Sequence, residues 1–145
     1  MPSWSTEAVE TYLKRLPPEW RCELREVRAE PRGAGGTPAQ WMAREAQRIR
    51  TALDPGMRIV VLDERGADVT SARLAERLLA WQRDARAVAI VIGGPDGIDP
   101  ALKTEAEESL RLSSLTLPHA LVRPLLAEQL YRAWTIAGGH PYHRE

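Results

Sequence analysis

The sequence is poor in the features that place a protein most quickly. It holds a single cysteine, Cys22, so no disulfide can form within the chain, which fits a reducing compartment. No apolar stretch approaches the ~20 residues needed to cross a bilayer. The opening Met1-Pro2-Ser3-Trp4 has neither the basic region nor the apolar core of a signal peptide. These absences lead to the expectation of a cytoplasmic protein. Net charge is lacking too: 20 Lys and Arg balance 20 Asp and Glu. A chain with that balance does not grip nucleic acid by bulk electrostatics. A local patch stays open, since from Arg111 onward four Arg and all three His meet only two acidic residues.

Several catalytic motifs are missing as well. The glycine turn Gly93-Gly94-Pro95-Asp96-Gly97 is neither G-x-G-x-x-G nor a P-loop, because no Gly-Lys-Ser/Thr follows it. Phosphate cradling by either motif is therefore disfavoured. A serine nucleophile working with His119 and Asp96 is disfavoured by the absence of a Gly-x-Ser-x-Gly elbow. His140 and His143 stand three apart, but Pro141 lies between them and no Cys or carboxylate pair joins them, so no metal is expected. Cys22 has no His or metal-ligand pattern around it and reads as a buried strand residue rather than a reactive thiol.

What is present describes one α/β domain spanning residues 1–145, with hydrophobic content of 43% supplying a core. Ser5 and Thr6 are suited to cap a helix running to about Arg15, which Pro17-Pro18 stops. Arg21 to Arg28 alternates apolar and charged residues as a strand would. Glu30 to Pro38 is a flexible loop by composition. Met42, Ala46, Ile49 and Leu53 form one stripe of a second helix. Ile59 to Asp63 and Val88 to Ile92 read as strands buried on both faces of a parallel sheet, the first followed by a turn at Glu64-Arg65-Gly66. A helix from Ser71 to Arg83 lies between them. A short helix from Pro100, a strand from Arg111 to Leu117 and a helix from Ala120 to Ile136 complete a βαβ pattern.

The chemistry concentrates in the C-terminal third. Strand ends and glycine turns are where α/β proteins hold ligands. Gly93 to Gly97 serves equally well as a tight turn or as a binding loop. Leu112 to Leu117 carries hydroxyls at Ser113, Ser114 and Thr116, and Pro118 and His119 follow. His119 alone suits a structural hydrogen bond better than catalysis. Arg132, in an apolar neighbourhood, is either ion-paired or aimed at an anionic or carbonyl-rich ligand.

Together, five segments resemble one family. They are Leu62-Asp63, Ile92 to Gly97, Leu115-Thr116-Leu117-Pro118-His119, Leu130-Tyr131-Arg132-Ala133-Trp134, and His140-Pro141-Tyr142-His143-Arg144-Glu145. The family is the bacterial ribosomal RNA large subunit methyltransferases H, of the SPOUT class of S-adenosylmethionine-dependent enzymes. The resemblance spans nearly the whole chain. It implies a SPOUT-type parallel sheet flanked by helices, with a C-terminal deep trefoil knot over roughly residues 87–145. It implies a homodimer that methylates N3 of a pseudouridine in 23S rRNA of the large subunit or assembled ribosome, with no membrane partner. By match to the family's cofactor pattern, Leu62, Gly93, Leu112, Ser113, Ser114, Leu115, Thr116 and Leu117 line the methyl donor's site. Arg132 is then the group that stabilises the uracil-type anion. His119, Tyr142, His143 and Arg144 bind base or phosphate, and His143 is a candidate proton acceptor.

Two departures accompany the resemblance. The family opens with an apolar strand ahead of its Met-Pro-x-Trp segment, and this sequence begins at that segment. The expectation is a start that lies upstream, or else a sheet one strand short. The loop from Glu30 to Pro38 carries only Arg32 where more basic residues are expected, which puts RNA contacts by this loop in doubt. Two rival readings remain: a SPOUT enzyme acting on tRNA, and a non-catalytic ribosome- or RNA-binding protein on the same fold.

Overall fold

The structure is a computed structural model that describes residues 2–33, 35–94 and 96–144, with side chains only as far as Tyr142. The chain divides into two compact units. One comprises Met1–Leu24, Val69–Ala85 and Leu115–Glu145, the other Arg25–Asp68 and Arg86–Ser114.

The second unit is built on three parallel strands, β1 (Arg58–Asp68), β2 (Val88–Ile92) and β3 (Glu108–Arg111), in the order β2-β1-β3. The apolar runs are strands because a central parallel strand has no solvated face. Val60 and Val61 are fully buried, each contributing about 1.5–3 kcal/mol by leaving water. Helices α2 (Pro38–Ala52) and α4 (Pro100–Glu105) belong to the same unit. Ala46 of α2 and Leu102 of α4 join Val61, Val91 and Ile98 in one core, with Ile49, Ile59 and Ala106 packed on it. Thr37 and Gln40 start α2 with a reciprocal capping box, and Pro38 occupies the first turn, where its missing N–H costs nothing.

The expected turn at Glu64-Arg65-Gly66 lies inside β1. Leu62 and Ala67 both pair with Leu110, so the residues between them bulge out of register and the strand resumes as far as Asp68. A Cβ on Gly66 would stand 2.7 Å from the Leu110 backbone, so the bulge demands glycine there. The strand expected from Arg111 to Leu117 ends at Arg111, and Leu112 to Leu117 is irregular. The strand expected from Arg21 to Arg28 is absent: the segment is irregular and joins no sheet among the described residues. Alternation along a sequence describes a strand's faces, whereas a strand exists only when a neighbour takes its hydrogen bonds. Cys22, on this segment, is exposed rather than buried. Even so, desolvation of the sulfur by the atoms packed around it, and secondarily the Glu23 carboxylate, push its thiol above the usual range.

The first unit packs α1 (Ser3–Leu13) and α3 (Ser71–Arg83) on α5 (His119–Gly138). Leu74, Ala75 and Trp81 of α3 are buried, as are Leu126, Ala127, Leu130, Tyr131 and Ala133 of α5. Thr70 caps α3 by accepting from the Arg73 amide at 3.0 Å. Ser5 does not cap α1, which starts after Pro2. Its side chain is fully buried, and Oγ donates to the Ala120 carbonyl at 2.7 Å. The reason lies on α5. The Ala120 carbonyl would accept from the amide of residue 124, but that residue is Pro124, which has no N–H. Ser5 supplies the donor that the helix lacks.

Candidate functional site at the carboxyl edge of the sheet

The register of the sheet gathers the predicted donor-site residues of the second unit. Leu62 pairs with Ile92 on one side and Leu110 on the other. Gly93 therefore follows directly from a residue opposite Leu62, and Leu112 lies two residues beyond another. The end of β2, the bulge of β1 and the end of β3 thus bring Leu62, Gly93 and the start of Leu112 to Ser114 to one edge of the sheet. That is the edge where parallel α/β sheets hold ligands, because the chain turns away there and leaves a crevice. Asp63, next along β1, is held by the Lys103 ammonium at 3.0 Å.

The glycine turn closes tightly at this edge. The Gly97 amide donates to the Gly94 carbonyl at 2.9 Å. A Cβ on Gly93 would stand 2.6 Å from Ile98 and 2.7 Å from the Gly97 backbone, so only hydrogen fits. Glycine at this strand end is therefore required by the turn's own packing against Ile98. Leu112 and Ser113 are half-buried and Ser114 is exposed. Beyond the unit boundary, Leu115 and Thr116 are exposed, Leu115 at 72%, while Leu117 is half-buried.

The first unit gathers a different set. Arg132, on α5, places Nε 2.8 Å from Oε1 of Glu128, one turn earlier. The Arg132 guanidinium also lies 5.1 Å from the centre of the Tyr142 ring. Arg132 is thus ion-paired within its own helix, with its guanidinium against an aromatic ring. Tyr142 stands edge-on to Tyr131 at 4.7 Å, and Tyr131 neighbours Tyr12 and Trp134. Burial pushes the Tyr142 phenol above the ordinary tyrosine range, and the Glu128 carboxylate adds to the shift. At neutral pH that hydroxyl is a hydrogen-bond donor, not a base. His119 opens α5, thirteen residues before Arg132, which is about 20 Å along the axis at 1.5 Å per residue. One helix therefore does not bring those two side chains together. His143 and Arg144 have side chains outside the described residues.

Sequence reasoning missed Arg15, whose guanidinium lies 5.2 Å from the Tyr12 ring and 5.5 Å from the Tyr131 ring. The three-residue spacing to Tyr12 could have signalled the first contact, whereas nothing local signals the second. It also missed Glu128, which the four-residue spacing to Arg132 could have found. Among the described residues, no group of three His, Cys, Asp or Glu side chains is gathered to hold a metal ion. Likewise, none of the described helices is long and apolar enough to cross a membrane.

Comparison with known proteins bears on this arrangement. The family model described as Predicted SPOUT methyltransferase matches residues 1–143. A protein of Methylibium petroleiphilum named Ribosomal RNA large subunit methyltransferase H is 59% identical over 145 residues, covering all of this chain and 93% of its own. The chain belongs to this SPOUT methyltransferase family. Proteins of the same name from Bordetella pertussis and Ralstonia nicotianae are each 58% identical over 144 residues, covering 99% of this chain and 92% of theirs.

Proposed function

We propose that the chain is an S-adenosylmethionine-dependent methyltransferase that modifies N3 of a pseudouridine in 23S rRNA of the large subunit, acting as a cytoplasmic homodimer. The observation that carries the reading is the convergence of Leu62, Gly93 and Leu112 on one carboxyl edge, in a chain of the methyltransferase H family. The relatives' name, which specifies large-subunit ribosomal RNA, supports the substrate class.

The residues present fit the donor. Half-buried Leu62 and Leu112 offer apolar surface to an adenine ring. Gly93 lets the turn pack tightly on Ile98 directly after the strand, so that it stands at the edge beside Leu62. In this reading the donor site runs from Leu62 and Gly93 along Leu112, Ser113, Ser114, Leu115, Thr116 and Leu117, within a single domain knotted over residues 87–145. When bound, S-adenosylmethionine supplies a methyl group already activated by its sulfonium, so the protein contributes alignment and charge stabilisation.

Arg132 carries the charge role. N3 of a pseudouridine must lose its proton to become a nucleophile, and the resulting anion spreads over the neighbouring carbonyl oxygens. A guanidinium held by Glu128 and stacked on Tyr142 is pre-aimed, so little reorganisation is needed as that charge develops. Tyr142, protonated at neutral pH, donates a hydrogen bond to base or phosphate. His143 accepts the proton, and His119 and Arg144 bind phosphate or base.

Mass spectrometry of rRNA from cells lacking the gene tests the reading. One pseudouridine of 23S rRNA is expected to lose a single methyl group. Unchanged rRNA accompanied by an undermethylated tRNA would replace this substrate with the rival one. If a folded protein binds neither S-adenosylmethionine nor S-adenosylhomocysteine in a calorimeter, the chain is not an enzyme of this kind.

A further inference from the structure

The loop from Glu30 to Pro38, although irregular, is tied down at several points. Arg44 and Arg48 both bind the Glu30 carboxylate, at 2.9 and 2.5 Å. The Trp41 indole donates to the Gly35 carbonyl at 3.0 Å. The sole cation of the loop, Arg32, is half-buried and engaged by neighbouring acceptors. Its Nη1 donates to Oε2 of Glu45 and to the Glu30 carbonyl, both at 2.6 Å. Its Nη2 and Nε donate to Oδ2 of Asp96, at 2.8 and 3.2 Å. The guanidinium plane also lies 5.4 Å from the centre of the Trp41 ring.

Glu45 is the unusual member of this group. It is a carboxylate on α2 with only 6% of its surface exposed. Burying a charge is costly unless it is paired, and here Arg32 pairs it while the Glu30 amide donates a further bond at 3.0 Å. The carboxylate is pressed against the glycine turn: a Cβ on Gly94 would stand 2.6 Å from Oε1. Asp96 lies in the same turn. Arg32 thus joins a buried carboxylate behind the turn to a carboxylate in the turn. Hydrogen bonds to Glu45 and then Asp96 hold its guanidinium firmly protonated.

We infer that Arg32 is a positioning residue for methyl-donor binding, with Glu45 and Asp96 as its two anchors: it locks the Gly93–Gly97 turn in its receptive geometry at the sheet edge. The inference rests on the reading of that edge as the donor site. It also gives a use for a loop whose one basic residue is Arg32. Donors at Nε, Nη1 and Nη2 are all engaged in one plane, which a guanidinium provides and an ammonium cannot. Arg32→Lys keeps the charge that neutralises Glu45 but cannot span both carboxylates. Asp96→Asn leaves the buried pair untouched and weakens only the tether to the turn.

Calorimetric titration of the full-length dimer or monomer with S-adenosylhomocysteine tests this, using wild type, Arg32→Lys, Asp96→Asn and, as a control, Glu105→Gln. Glu105 pairs with Arg50 away from the turn, so its variant is expected to bind as wild type does. Arg32→Lys is expected to weaken binding tenfold or more and Asp96→Asn several-fold, with stoichiometry unchanged. In turnover assays the KM for the donor rises while the KM for rRNA holds. A fall in stoichiometry at unchanged Kd would mean damaged folding and would overturn the positioning role. If wild type binds and both variants bind within twofold of it, this inference alone fails. If wild type itself binds neither S-adenosylhomocysteine nor S-adenosylmethionine, the donor-site reading fails first and takes this inference with it.

Discussion

Replacing Ser5 by alanine is predicted to destabilise the protein through a carbonyl 115 residues away in sequence. Pro124 removes the amide that would serve the Ala120 carbonyl, and the Ser5 hydroxyl replaces it at 2.7 Å from a fully buried position. Ser5→Ala therefore leaves an acceptor with no protein donor. An unsatisfied buried group costs about 1–3 kcal/mol. Ala120 is only half-buried, so water recovers part of this and the expected loss is about 1–2 kcal/mol. In a chain of this length that lowers the melting temperature by about 2–8 °C. The decisive measurement is a double-mutant cycle in urea with Pro124→Ala, which restores the helical amide. In that background Ser5→Ala is expected to cost less than about 0.5 kcal/mol, because Ala120 then has its own partner. Equal costs in both backgrounds would refute the account, as would a Ser5→Ala loss below about 0.5 kcal/mol in the wild type.

Other outcomes follow from the same geometry. Arg132→Ala is expected to lower turnover roughly 100-fold or more, as loss of one preorganised donor does, while leaving donor binding intact; near-wild-type turnover would remove Arg132 from the mechanism. Tyr142 has a phenol pKa raised above its ordinary 10.0, so folding favours the protonated form, and the associated stability is present below that pH and lost above it. Tyr142→Phe should flatten the alkaline fall in urea midpoint, and an unaltered fall would contradict the shift. Cys22, exposed but with a raised pKa, should react with a thiol reagent without denaturant, slowly at neutral pH and faster as pH rises towards and past 9.0. Labelling only after unfolding would show that the thiol is buried.

The elements legible in the sequence were those whose signal is local. Ile59 to Leu62 and Val88 to Ile92 read as buried strands because continuous apolar runs suit a sheet with both faces covered. The boundaries of α3 were readable from its periodicity, and α2 follows a Thr-Pro start with Gln40 in the capping position. Segments whose state depends on distant partners were not legible. Arg21 to Arg28 alternates like a strand but joins no sheet among the described residues, and Leu112 to Leu117 leaves the sheet where Leu110 is already matched twice by the bulged β1.

The sequence by itself determined the family and the apolar strands of the parallel sheet, because motifs and periods are short-range properties of a chain. Tertiary structure alone decided what several of those residues do. Ser5, suited to a cap, serves a carbonyl orphaned by Pro124. Glu45, one polar residue on an amphipathic helix, is a buried anion behind the glycine turn. Arg32, in a loop that reads as flexible, bridges two carboxylates. A hydrogen bond or ion pair is set by the atoms that arrive within about 3 Å of each other. Over separations of tens of residues, only the folded backbone determines which atoms those are.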